Sequence, residues 1–322
     1  MKKYITLLPL LLFLAGCSDD DNKRLEPTYA DIDWFALEDS SDEIDHMRYE
    51  IYAETGLSVY YNDTIGTQSR GYNGYGEEII HTEVLTPCYS IGGGTNTLKY
   101  KLPQGRDNIR NGVVFIRDMV LPKLFPGAYP RSILLVDDLV LDAFSNTSIR
   151  AGDIYRGKMT TVVSRTKELG GMSAEERNAL ASEIAAYSLY VYLDLYHADK
   201  LANFYAVSDA SVEWPEGSYH DTIYGQLVST SSSSVPYRSH CNAFGFLETD
   251  PAMYSLFLAI GDEYLMFVNP SREYDVITFL KAVMSVSEAD FRAAYEGRDG
   301  YGMLIDKYRL MREILETVKN NL

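Results

Sequence analysis

Between Ser173 and Lys200 the chain carries apolar residues on two helical faces at once, and this pattern restricts the available folds more than any other. Leu180, Ile184, Tyr187, Val191 and Leu195 fall on one stripe, and Ala181, Ala185, Leu189 and Tyr192 on a second. A helix that is apolar on both sides has to be surrounded by protein. Ser173-Ala174-Glu175-Glu176 opens it as a capping box, the serine bonding forward and Glu176 reaching back. A fold with this helix at its centre is therefore expected.

The flanking segments supply the layers around it. Ile44, Met47 and Ile51 have helical spacing before Gly56, and Leu57 to Tyr61 reads as a short strand ending at Asn62-Asp63. Gly66 to Gly76 is glycine-rich and polar and reads as a loop. Leu98, Tyr100 and Leu102 alternate as a strand, Ile109 to Leu124 repeats as a helix stopped by Pro126-Gly127, and Ile133 to Val136 is a buried strand. Beyond the central helix, residues 209–240 read as a long polar loop. Pro251 to Val268, Tyr274 to Met284, a short segment capped by Ser287, and Met303 to Val318 all read as helices. Strands and helices mix in the first half and helices dominate the second, which is an α+β pattern.

The first 16 residues resemble a secretory signal: Lys2 and Lys3, then an apolar stretch from Tyr4 to Phe13. That stretch is shorter than the roughly 20 apolar residues that span a bilayer. Leu14-Ala15-Gly16-Cys17 resembles a bacterial lipobox, so Cys17 is the expected lipid attachment point. Residues 17–28, with the acidic run Asp19-Asp20-Asp21, read as a solvated tether and resemble a surface-export signal. A lipid-anchored outer-membrane location facing outward follows as the expectation. Residues 29–322 read as one domain, with an α/β part to about 170 and a helical part from about 171.

Formal charge is −17, and removal of the leader would make it more negative. Such a surface argues against nucleic acid, which needs a basic patch. Cys88 and Cys241 are either joined in a disulfide or two buried thiols. Asp137-Asp138 could in principle act as acid and base, but neighbours on a strand point to opposite faces, so solvation at a strand end is the expected role. His46, His81, His197, His220 and His240 show no metal-ligand spacing on a helix; His220 and His240 could meet in the polar loop, and His197 falls near a helix end.

The central helix, with Ser182-Glu183-Ile184-Ala185-Ala186, resembles the active-site helix of lipoprotein zinc metallopeptidases associated with outer-membrane substrate import. The order of elements from about 45 to 320 and the tail from Pro270 to Leu310 carry the same resemblance. In that family the helix bears His-Glu-x-x-His, two imidazoles one turn apart on zinc and a glutamate activating the metal-bound water. Here only Glu183 remains; Ser182 and Ala186 replace the imidazoles. The family's third ligand maps to Arg272-Glu273-Tyr274-Asp275-Val276, with Val276 in the ligand register. The resemblance implies a zincin-like architecture in which Ser182, Glu183 and Ala186 form the floor of a cleft partly covered by the tail. Restoring histidine at 182 and 186 is then expected to recover some zinc affinity.

Three functions are compatible with these residues. The leading one is a non-catalytic, metallopeptidase-like surface lipoprotein, without metal or cofactor, that binds a peptide or glycan or serves a porin-type import complex. The others are an active peptidase or glycosidase with a non-standard site, such as a carboxylate pair, and a structural accessory lipoprotein without ligand.

Overall fold

Asp42 accepts hydrogen bonds from the Ile44 and Asp45 amides and so starts helix α1, Glu43–Thr55, in a computed structural model that describes residues 32–88, 97–142, 148–150, 153–214, 216–230, 235–249, 258–260 and 263–321. The leader, Cys17 and the tether lie outside the described residues. The chain divides into two compact units, Met1–Ala36 and Leu37–Leu322. In the first, the described residues make a turn in which the Ala36 amide donates to the Asp33 carbonyl at 3.1 Å.

Ile44, Met47 and Ile51 are the buried positions of α1, which ends at Gly56 in the left-handed conformation. Strands β1 (Ser58–Tyr60), β2 (Thr64–Tyr72), β3 (Glu78–Val84) and β4 (Thr97–Lys101) follow. The glycine-rich segment expected as a loop is thus mostly β2 and its turn into β3, paired antiparallel with two register shifts. Both strands are largely exposed, so no burial pattern marked them in the sequence; the backbone ladder alone defines them.

Helix α2 (Arg106–Phe115) continues into a π-helical turn, Ile116–Val120, and a 3-10 turn, Leu121–Lys123. One regular helix to Leu124 was expected. Pro122 lacks an amide hydrogen and lies in the 3-10 turn, but the apolar stripe survives, with Val113, Ile116 and Val120 all fully buried. Strands β5 (Ser132–Leu135), β6 (Asp138–Asp142), β7 (Ser148–Arg150), β8 (Ile154–Arg156) and β9 (Thr160–Val163) come next. The main sheet has the order β1-β5-β9-β8, parallel across β1, β5 and β9, with β8 antiparallel to β9 at one edge. Strands β4, β6 and β7 form a separate antiparallel sheet.

The capping box at Ser173 is present in full and starts α3, Ala174–Tyr196. This helix stops three to four residues short of the expected end: His197 takes φ −140°, ψ 32°, and α4, Ala198–Asp209, begins a new axis. His197 therefore ends one helix and starts another. Residues 210–240 are irregular apart from β10, Leu227–Ser229, among the described residues. The expected helix over Pro251 to Val268 is corrected: where described it is β11 (Leu258–Ile260) and β12 (Glu263–Val268), with β12 between β10 and β11. A continuous apolar run has no period to separate strand from buried helix, and the aromatic and β-branched residues of β12 favour the strand. Helices α5 (Arg272–Ser285), α6 (Glu288–Tyr295, capped by Ser287) and α7 (Tyr301–Asn320) complete the chain.

The result is an α+β fold. One apolar cluster runs from Ile44 to Val318, joining the sheet, α3 and the tail, and a second gathers Val212, Ile223, Val228, Phe244 and Phe267. Helix α3 packs against α5, the π-helical turn and α4, and α7 packs on α4, α5 and α6. No helix among the described residues is long and apolar enough to cross a membrane.

Candidate functional site

Ser182 and Ala186, one turn apart on α3, have no solvent-exposed surface. Ser182 Oγ donates to the Asn178 carbonyl of its own helix at 2.7 Å, and Ala186 belongs to the main apolar cluster. Val276 on α5 is equally buried in that cluster. The three positions in the ligand register thus hold a self-bonded hydroxyl, a methyl and an isopropyl group. They are packed in the core and do not floor an open cleft. The two-sided apolar pattern that puts α3 at the centre also closes its faces to solvent.

Glu183 leaves that core. Lys281 Nζ on α5 donates to its Oε2 at 3.4 Å, and both side chains are partly exposed. Glu248 approaches the same pair: although the residue keeps an exposed surface, lost hydration raises its carboxyl above the ordinary value, Glu183 adds to this, and Lys281 and a Tyr274 hydrogen bond oppose it. Glu273 is drawn the other way, to Arg156 of β8, at 2.9 Å.

Asp275, between Glu273 and Val276, is fully buried and meets Lys307 of α7 at 2.6 Å. Lys307 Nζ also donates to Ser208 Oγ at 2.8 Å and to the Gly245 carbonyl at 2.9 Å, using its three hydrogens. Tyr224 OH donates to the same Asp275 oxygen at 2.7 Å. Phe204, Phe246 and Phe279 pack their rings within 5 Å of the ammonium. The cluster ties α4, α5 and α7 together away from solvent.

A groove of about 470 Å³ opens at the far end of α3. One wall is the last turn of α3 with Tyr192, Leu195 and Tyr196; the other carries Tyr129 and Arg131 before β5 and the turn after β8, with Arg156 and Lys158. Leu195 and Tyr196 are 67% and 68% exposed. Leu195 is the end of a stripe that the sequence marks as core, yet it is left uncovered. The sequence offered one sign of this groove, the basic pair Arg156 and Lys158 in an acidic chain.

The histidines do not converge. His46 is 2.6 Å from Asp39, His81 is 2.9 Å from Glu83, His220 lies against Trp214, and His240 Nδ1 accepts from the Asn242 amide at 3.2 Å. Among the described residues no group of three or more His, Cys, Asp or Glu could hold a metal ion. Cys88, half-buried, and Cys241, buried, are not joined in a disulfide, and burial pushes the Cys241 thiol up to about 12. Asp137 lies between β5 and β6, so strand alternation does not separate it from Asp138: Asp138 is bound by Lys167 and Lys101 at 3.0 and 3.3 Å, whereas Asp137 is buried rather than solvated, with one oxygen accepting from the Gln104 amide.

No protein-family model, curated protein or solved structure matches this chain. The metallopeptidase likeness therefore rests on the residues and elements named above.

Proposed function

We propose that the chain is a lipoprotein, anchored through Cys17 to the outer membrane and facing outward, whose zincin-like body binds a ligand or partner for a porin-type import complex without catalysing a reaction. The observation that carries this reading is the filling of positions 182, 186 and 276. Serine, alanine and valine in a packed core offer no imidazole or carboxylate to zinc, while Glu183, the remaining member of the motif, is paired with Lys281. A body that keeps its scaffold and lacks the metal ligands is suited to recognition, and the groove beside α3 gives it a surface for that purpose.

The test uses the tagged full-length protein in its own cells. Mild-detergent extracts of the outer membrane are predicted to yield it together with a β-barrel transporter, and Cys17→Ala is predicted to move it out of the salt-washed membrane fraction, because the lipid supplies the anchoring. A protein that purifies alone from intact outer membranes, or a Cys17→Ala variant that stays membrane-bound, overturns the proposal.

One observation favours a second reading, a hydrolase with a non-standard site. Glu183 pairs with Lys281 at 3.4 Å, and the Glu248 carboxyl, raised by lost hydration, feels both of those charges. That reading predicts turnover of a peptide or glycoside that is lost in Glu248→Gln.

A further inference from the structure

We infer that the groove between the end of α3 and the turn after β8 is a binding site for carboxylated oligosaccharides, a ligand class that rests on the recognition reading above. Charge is the first argument. The chain has 46 acidic and 29 basic residues, yet Arg131, Arg156 and Lys158 line this groove and no carboxylate does. A cationic concavity on an acidic protein concentrates anions locally.

The second argument is the aromatic wall. Tyr192 and Tyr196 lie one turn apart with ring centroids 5.1 Å from each other, and Tyr196 is largely exposed. Tyr192 is fixed in place by Phe125, edge-on at 5.2 Å, and by Gly127. Gly127 has φ +90°, and a Cβ there would lie 2.9 Å from the Tyr192 ring, so the ring occupies the space a side chain would need. Gly157 allows the opposite rim: its Cβ would come within 2.3 Å of the Pro87 carbonyl oxygen, so only glycine turns the chain here between Arg156 and Lys158.

The third argument concerns pre-organisation. Arg156 is braced by Glu273 at 2.9 Å and lies over the Tyr190 ring at 5.7 Å, which holds the guanidinium in one orientation beside the groove. A planar guanidinium pairs with carboxylate oxygens in a fork, and a flat phenol ring with a polar tip covers the apolar face of a pyranose. Cations next to exposed rings thus match a sugar that carries a carboxylate. Extended peptides are held differently, by rows of backbone groups along a sheet edge. Here side-chain rings and charged heads make the surface.

Isothermal titration of the detergent-solubilised full-length protein with a tetramer of galacturonic acid, the matching neutral galactose tetramer and an Asp/Glu peptide tests the inference. Binding of the uronate tetramer is expected, at least tenfold tighter than the neutral one, and weakening as salt is raised. Tyr196→Ala and Lys158→Gln are each expected to weaken it several-fold with unchanged circular dichroism, since both side chains are exposed. Absence of uronate binding, equal affinity for the neutral tetramer, preference for the acidic peptide, or binding indifferent to Tyr196→Ala would each overturn it. Transporter co-purification is a separate readout, so the groove assignment and the import assignment can fail independently.

Discussion

Lys307 Nζ lies 2.6 Å from Asp275 Oδ2, and neither side chain has any exposed surface. Burial dominates both groups. It lowers Lys307 to about 8 and raises the Asp275 carboxyl above its ordinary value, each against the pull of the partner. A pair of this kind contributes little net stability because desolvation offsets the attraction, yet losing one member leaves a charge stranded in the core.

Asp275→Asn is accordingly expected to destabilise the fold by about 3–5 kcal/mol, since the Lys307 ammonium keeps its burial and loses its counter-ion. Lys307→Met combined with Asp275→Leu should recover about half of that loss. The remaining deficit, about 1–3 kcal/mol, comes from polar partners such as the Gly245 carbonyl and Tyr224 hydroxyl. Urea denaturation of the variants measures this. A double variant as unstable as the single one would show that the cluster does more than compensate its own charges.

His240 gives a pH dependence of definite sign. Burial, assisted by the Arg298 charge, lowers its pKa below the ordinary value of 6.5. Its Nδ1 accepts the Asn242 amide at the start of the 3-10 turn Cys241–Phe244, a role that protonation at that nitrogen ends. Between the folded value and 6.5 the unfolded chain binds more protons than the native one, so stability falls as pH drops through that window. His240→Asn keeps a capping oxygen and removes the titration. Thermal melts of this variant should lose less stability than wild type on acidification below about pH 6.5. Parallel loss in the two proteins would rule out His240 as the source.

Burial of positions 182 and 186 reverses the sequence expectation for Ser182→His with Ala186→His. Two imidazoles inserted into a filled core are expected to cost about 1–3 kcal/mol each, and the variant should melt earlier with zinc affinity equal to wild type. A calorimetric zinc titration beside a thermal melt checks both. A stable double variant with new zinc binding would show that these positions open to solvent.

The parts of the fold legible in sequence were those with a buried periodic face. Helix α1 and the strand at Ile133 have one, and their buried positions are the expected ones; the capping box at Ser173 was legible from its residue spacing, and α7 from most of its stripe. The hairpin β2–β3 was missed because an exposed ladder leaves no apolar alternation, and β12 because a continuous apolar run carries no period. Lys307 was passed over inside α7, although Leu304, Lys307, Tyr308 and Met311 share one core stripe, a spacing that places a lysine where a partner must be found. Asp275 was in view only as the neighbour of Val276. Leu195 falls on an apolar stripe yet is exposed, because periodicity shows which way a residue faces and does not show where the covering layer ends.

The proposal that Glu183 stands on α3 without a metal centre is tested most directly by zinc content. Full-length protein is purified from cells grown with added zinc, without chelators, and its metal is measured by elemental mass spectrometry. The account predicts zinc far below one atom per chain, with the same result for Glu183→Gln. One zinc per chain in the wild type that disappears in Glu183→Gln would contradict it.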